Sequence, residues 1–336
     1  MAESIGIVGP GAIGLLLAHH LRRAGRDVTI LARPTAVDQL SRDGIELFGA
    51  DGRGSRQRVK VAAVQGADGF DLLILALKGH QLTTSARELE HLLESSRVVM
   101  TAMNGVPWWL PHGSAKAPRQ LEAVDEQGLL SALVDTAKVV GAVVNIGART
   151  ERAGVVHHVF GSSLSVGPAI PSEIERASAV LRVFAGSGIT VELDPNIRKS
   201  LWLKLLNNAA LNPVSVVTGW TLRDILGNSA ARAVAAEIME EVAAVGRALK
   251  IIQEVDVEAR LAYSATFGAF KTSMLQDFEA GRTLETASLC DAVVELAKHA
   301  NVPVPTLTGI IALVRARCLG NDIPGANAVA CLLGHR

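Results

Sequence analysis

Cysteine is scarce in this chain: 3 among 336 residues, at positions 290, 318 and 331. The number is odd and no two sit as C-x-x-C. Neither a disulfide framework nor a cysteine-built zinc site is indicated, and a reducing cytoplasm is the expected setting. An excess of one charge is missing too. Lys plus Arg and Asp plus Glu both number 33, which leaves no global basic field to hold a polyanion and argues against a dedicated nucleic-acid binder. Long apolar runs are absent. The stretch 139–148 is closed by Lys138 and Arg149, far short of the ~20 residues that cross a bilayer, so no membrane span is expected. The start, Met1-Ala2-Glu3-Ser4, lacks a basic segment ahead of a long apolar one, so no signal peptide is expected. No internal repeat or low-complexity tract is visible.

What the chain does have is 49% hydrophobic and 20% charged residues. That is ample material for a core, and the length calls for two domains. Residues 4–8, 27–32, 71–77 and 97–102 read as strands, and 12–24 and 81–93 as helices. The run Leu72-Leu73-Ile74-Leu75 has no polar break. Strands apolar on both faces and separated by helices predict a mostly parallel sheet covered on both sides. Residues 111–128 mix prolines with charges and read as a surface excursion; with Trp108 at its start, it is a candidate lid. Strand patterns return at 139–148, 155–160, 163–166 and 189–193, with a helix at 172–185. Beyond Pro195 only helices are predicted, at 196–211, 221–226, 230–249, 257–270, 283–300 and 306–317. The expected architecture is an α/β N-terminal domain, residues 1–194, followed by an all-helical domain, residues 195–336.

The segment Gly9-Pro10-Gly11-Ala12-Ile13-Gly14 joins the first strand to the first helix. Glycine at 9 permits the tight turn, glycine at 11 lets a pyrophosphate approach the backbone, and glycine at 14 lets helix and strand pack closely. The helix start, with Ala12 and Ile13 in its first turn, then offers unpaired N–H groups to phosphates. In this strand–turn–helix context the motif makes the N-terminal domain Rossmann-type, with a purely structural turn as the competing reading. The second strand ends in Leu31-Ala32-Arg33-Pro34, where an NAD-preferring fold carries an acid for the ribose 2′-hydroxyl. Arginine suits a 2′-phosphate instead. NADPH is therefore the expected cofactor, against the alternative that Arg33 is a solvated loop residue.

In the helical half, Lys204, Asn208 and Asn212 recur at i, i+4 and i+8 among Leu201, Trp202, Leu203, Leu205, Leu206, Ala209, Ala210 and Leu211. They share one face of a largely apolar helix. Buried charge is costly unless paired, so two readings fit: a polar ligand meets this face, or Lys204 snorkels to solvent while the asparagines bridge helices. Pro213 cannot donate to the carbonyl of Ala209 and is expected to bend or end the helix. His157 and His158 are adjacent on a predicted strand and point to opposite faces, and no second cluster supports a metal site.

Taken in order, Leu77-Lys78-Gly79-His80-Gln81, Asn104-Gly105-Val106, Ile197 through Asn208 with Asn212-Pro213 behind it, Ser273-Met274-Leu275-Gln276-Asp277, and Gly281-Arg282-Thr283-Leu284-Glu285 resemble the ketopantoate reductase (2-dehydropantoate 2-reductase) family over nearly the whole chain. The resemblance implies a Rossmann domain, a helical domain, NADPH, and a 2-keto acid in the cleft between them, reduced on the route to pantothenate. It makes Lys204 the proton donor and Glu285 its partner and an acceptor for the substrate hydroxyl. It places Asn208, Asn212 and Ser273 against the substrate. Lys78, Gln81 and Asn104 line the cofactor together with Gly9, Gly11, Ala12, Ile13, Gly14 and Arg33. From the residues alone, Glu285 is equally a first-turn acid, Ser273 a surface serine, Asn104-Gly105 a common turn, and Lys78 with Gln81 a solvated helix start. A homodimer through the apolar helical half is plausible.

The chain departs from the family after Glu285. Ala287 stands where an acid is usual, Asp291 where glycine is usual, and the pair Trp108-Trp109 suggests a separate branch. Two alternatives to ketopantoate reduction follow. One is reduction or oxidation of a different 2-keto or 2-hydroxy acid on the same scaffold. The other is a non-catalytic NADP(H)-binding regulator, against which the retained Lys204 and Glu285 argue.

Overall fold

The computed structural model describes residues 3–113 and 117–320; Cys331, the end of the helical domain beyond 320 and positions 114–116 of the candidate lid lie outside them. The chain divides into two compact units, one of residues 1–104 with 128–200 and one of residues 105–127 with 201–336. Sequence placed a single boundary near Asp194-Pro195. In the structure the division falls in the first turn of the Ile197–Thr218 helix, and residues 105–127 belong with the helical unit.

The first unit is a ten-stranded sheet. Its strands are β1 (Ser4–Val8), β2 (Asp27–Ala32), β3 (Ile45–Phe48), β4 (Gly54–Gln57), β5 (Lys60–Ala63), β6 (Leu72–Leu75), β7 (Val98–Thr101), β8 (Val139–Arg152), β9 (Val155–Pro168) and β10 (Thr190–Leu193). The order is β4-β3-β9-β8-β7-β6-β1-β2-β5, with β10 also paired to β9. The run β8-β7-β6-β1-β2-β5 is parallel throughout. Leu72, Leu73, Ile74, Leu75, Val99 and Met100 are almost completely buried, as expected of strands covered on both faces.

The sheet is mostly parallel, as expected; the exceptions are β3 with β4 and β8 with β9, the latter forming one long antiparallel hairpin. Only Ala153 and Gly154 separate them, with Gly154 at φ +79°, and a two-residue connection can join only antiparallel neighbours. The segments read as separate strands at 155–160 and 163–166 are one strand. Its pairing shifts register opposite Asn145 and Gly147, where Gly161 takes φ +68°. β9 then pairs with β3 through its first residues and with β10 through its last.

The Ala12–Arg23 helix touches β2 as well as β3, β4, β8 and β9. Strands from both halves of the sheet therefore curl around it. Leu15, Leu16, Leu17, Ala18 and Leu21 lose all solvent contact, and so does His19. Each such leucine contributes about 1.5–3 kcal/mol of burial.

The second unit is helical, with Ile197–Thr218, Leu222–Gly227, Ser229–Ala248, Val257–Ala265, Ser273–Glu279, Ala292–Ala300 and Pro305–Gly320. Side chains close several helix starts: Asn228 accepts from the N–H groups of Ala230 and Ala231, Asp256 from Ala259 and Thr272 from Leu275. The buried Glu241 accepts from Thr306 N–H and Leu307 N–H, both at 2.8 Å. One carboxylate thus satisfies two orphan donors at the start of the Pro305–Gly320 helix, where negative charge is favoured. Pro213 does not end the Ile197–Thr218 helix. Leu211, Asn212, Val214, Ser215 and Val216 are all buried around it, and that packing outweighs the ~3 kcal/mol a helix-interior proline costs.

Residues 105–127, which hold most of the stretch 111–128 read as a surface excursion, belong with the helical unit and are anchored in it. Trp108, Trp109, Leu110 and Leu121 are buried, as is Asp125. Glu295 accepts from Glu122 N–H at 2.9 Å and Ala123 N–H at 3.1 Å, and Val106 N–H donates to Ser288 O at 2.8 Å. No helix among the described residues is long and apolar enough to cross a membrane.

Candidate active site

The proposed cofactor residues gather at the carboxyl ends of adjacent parallel strands. Gly9 to Gly14 follow β1, Arg33 follows β2, Lys78 and Gln81 follow β6, and Asn104 follows β7. The chain leaves β1 towards β2 on one side and meets β6 on the other. This is a topological switch point, where open α/β sheets bind ligands.

The glycines fit a dinucleotide for separate reasons. Gly9 has φ +105°, and a Cβ there would stand 2.7 Å from Ala76 O. A Cβ on Gly14 would come within 2.1 Å of Gly9 O, so position 14 needs glycine for close packing. At Gly11 the nearest atom to a Cβ is Ala76 O at 4.0 Å. The space there is open, which is what a phosphate approaching the backbone requires. Gly11 also caps the Ala12–Arg23 helix without a side-chain bond, leaving the first-turn N–H groups of Ala12 and Ile13 directed outward.

Arg33 is exposed and caps the Pro34–Asp43 helix, next to the end of β2. Gln81 Oε1 accepts from Lys78 N–H at 3.0 Å, closing the start of the Gly79–Ser85 helix. Asn104 is half-buried three residues beyond β7.

In the helical unit, Lys204, Asn208 and Asn212 lie on one helix as their spacing requires. Lys204 and Asn208 keep part of their surface accessible while Asn212 is buried. The dense surroundings of Lys204 disfavour its ammonium, and the nearby Glu285 carboxylate opposes that effect. The balance lowers the lysine to about 8. Glu285 itself is 9% exposed and lies two residues before the π-helical turn Ala287–Asp291. Two residues that sequence linked only through a resemblance thus act on one another in space.

Ser273 is exposed at the first position of its helix. The preceding Thr272 is tied to the lysine helix through a 2.5 Å bond with Ser215 Oγ. Asp291, one of the departures from the family, is held by Arg315 at 2.8 Å, which gives it a structural role.

Sequence reasoning missed a further group beside the lysine. Asn207 Nδ2 donates to Ser264 Oγ at 2.9 Å. Arg260 donates through Nε to Asn207 Oδ1 at 3.0 Å and through Nη2 to Leu203 O. The signal available was Asn207 beside Asn208 in an apolar helix; nothing local pointed to Arg260.

An ammonium poised near neutrality beside a buried carboxylate can deliver a proton to a developing alkoxide, the need of any ketone reduction. Residues 5–170 match the family Ketopantoate reductase PanE/ApbA and residues 196–317 its C-terminal counterpart. A 2-dehydropantoate 2-reductase from Mesorhizobium japonicum is 35% identical over 315 residues, covering 93% of this chain and 96% of that protein. A candidate ketopantoate reductase structure from Ralstonia solanacearum MolK2 superposes with TM-score 0.88 at 32% identity, covering 95% of this chain and 98% of that one. D-mandelate dehydrogenase, solved with NADH and anilino(oxo)acetate, shares the fold at TM-score 0.80 and 22% identity, covering 94% and 98%. This chain belongs to the ketopantoate reductase family and is an oxidoreductase.

Proposed function

We propose that this protein reduces 2-dehydropantoate to pantoate with NADPH, a step on the route to pantothenate. The observation that carries the reading is Lys204, half-buried on a helix face with Asn208 and brought to about 8 by burial against the pull of Glu285. A bound nicotinamide supplies the hydride to the keto carbon. Lys204 gives its proton to the keto oxygen as charge develops there and is left as the neutral amine. Glu285 accepts a hydrogen bond from the substrate hydroxyl and keeps Lys204 charged at neutral pH. Asn208, Asn212 and Ser273 orient the substrate, Ser273 by donating to its carboxylate. On the cofactor side, the backbone at Gly11, Ala12 and Ile13 takes the pyrophosphate, Arg33 the 2′-phosphate, and Asn104 the nicotinamide ribose. Lys78 and Gln81 line the remainder.

A second reading, turnover of a different 2-keto acid, is favoured by Ala287 standing where the family carries an acid. NADPH oxidation across a panel of 2-keto acids tests both. Turnover of 2-dehydropantoate well above the others supports the first, preference for another acid replaces it with the second, and NADPH binding without turnover of any contradicts both.

A further inference from the structure

The turn of the helix that carries Lys204 is held from a neighbouring helix by one arginine. Arg260, on the Val257–Ala265 helix, donates through Nη2 to the carbonyl of Leu203, the residue before Lys204. Through Nε it donates to Oδ1 of Asn207, three residues after Lys204. Asn207 is fixed in turn by its bond to the buried Ser264 of Arg260's own helix. The planar fork of arginine holds Nε–H and Nη2–H in a fixed relation that sets both bonds at once, a geometry that the rotatable ammonium of lysine does not impose. The guanidinium is half-buried and its charge is disfavoured by desolvation. A half-buried cation that meets only neutral oxygens is a costlier way to join two helices than apolar contacts. What the arrangement adds over apolar packing is directional control of one turn, and that turn bears Lys204.

We propose that Arg260, acting through Leu203 O and Asn207, is a positioning residue that fixes the Lys204 turn so that the ammonium and Asn208 hold a single orientation toward the substrate. This rests on the reading of Lys204 as proton donor. Misplacement of a reacting group by about 1 Å costs on the order of 100-fold in rate, so a loosened turn is expected to lower kcat without touching the cofactor residues of the other unit.

The test compares the parent with N207A, R260M and the double variant in full-length protein, using two readouts. The first is steady-state kinetics with NADPH and the best 2-keto acid. The second needs no turnover: the pH dependence of Lys204 acetylation by trace acetic anhydride, followed by mass spectrometry. The clamp requires kcat to fall roughly 10- to 100-fold in each single variant, with the double variant no worse than the poorer single and the KM for NADPH unchanged. It also requires the Lys204 midpoint to move up from about 8 in N207A, because water admitted to a loosened turn relieves desolvation. N207A leaves the guanidinium in place. Loss in R260M alone would therefore show that charge acts rather than the clamp, and would overturn the proposal. Unchanged kcat and midpoint in N207A, with only a lower Tm, would do the same. If no 2-keto acid is turned over by the parent, the functional reading falls and the acetylation midpoint alone decides the clamp. If R260M fails to fold, N207A alone decides it through kcat and the Lys204 midpoint.

Discussion

Glu285 is the carboxylate whose field opposes the desolvation of Lys204, although 81 positions separate the two in sequence. Removing that field has a direction. E285Q should let burial act unopposed and bring Lys204 below about 8. With the charged lysine as the proposed proton donor, activity should be lost as pH rises through its pKa. The falling limb of the pH–rate profile should therefore move to lower pH in E285Q, and the KM for the keto acid should rise. A limb that stays in place would separate Glu285 from the titration of Lys204.

Gly11 and Gly14 should respond differently to the same methyl group. A Cβ at 14 meets Gly9 O at 2.1 Å, and one at 11 finds nothing closer than 4.0 Å. G14A should therefore lower Tm, whereas G11A should fold with a nearly unchanged Tm and bind NADPH at least ~10-fold more weakly, about 1.4 kcal/mol. Calorimetry with NADPH titration reads both, and tight cofactor binding in G11A would place the pyrophosphate elsewhere.

Arg33, exposed beyond the end of β2, should discriminate between cofactors. R33A should weaken NADPH by about 10- to 100-fold, as loss of a charge-assisted bond worth ~1.5–3 kcal/mol implies, and leave NADH nearly unchanged. Equal losses for both would remove Arg33 from the 2′-phosphate.

His19 and His20 set an acid limit on the first unit. His20 Nδ1–H donates to Ser187 O at 2.9 Å and His19 Nε2 is 3.0 Å from Ser55 Oγ. Burial, then the neighbouring His20 and Arg23, bring His19 down to about 4. The unfolded chain takes up this proton near pH 6.5 and the folded chain only near 4. The stability conferred by a neutral His19 is thus complete above 6.5 and is lost as pH falls from there to about 4, by up to roughly 3 kcal/mol. Urea unfolding at pH 7 and pH 4.5 should show the loss, and H19Q should flatten it. An equally steep loss in H19Q would assign it to other groups.

Much of this was legible in sequence because it is local. The glycine motif sits between a strand and a helix that announce themselves by periodicity, and the i, i+4, i+8 spacing of Lys204, Asn208 and Asn212 survives folding unchanged. What stayed hidden depends on distant partners. β3 and β4 are four-residue strands, and β4, Gly54–Gln57, carries little apolar signal; its pairing with β3 is what makes it a strand. The helix expected at 81–93 is two, Gly79–Ser85 and Glu90–Ser95. The predicted helices at 257–270 and 283–300 overran, the first stopping at Ala265 and the second beginning in a π-turn. The burial of Trp108 and Trp109 was not legible because it depends on a helical unit that starts almost a hundred residues later. Arg260 bonds to residues more than 50 positions away, and no local pattern encodes that.

The central claim is that Lys204 gives the proton to the ketone. Its most direct test is steady-state oxidation of NADPH by the parent and by Lys204→Ala with 2-dehydropantoate, alongside NADPH titration of both. The account predicts a fall in kcat of ~100- to 10,000-fold with NADPH affinity unchanged, and in the parent a rate that declines as pH rises through about 8. A Lys204→Ala protein with near-normal kcat would contradict it, because the proton would then come from another group.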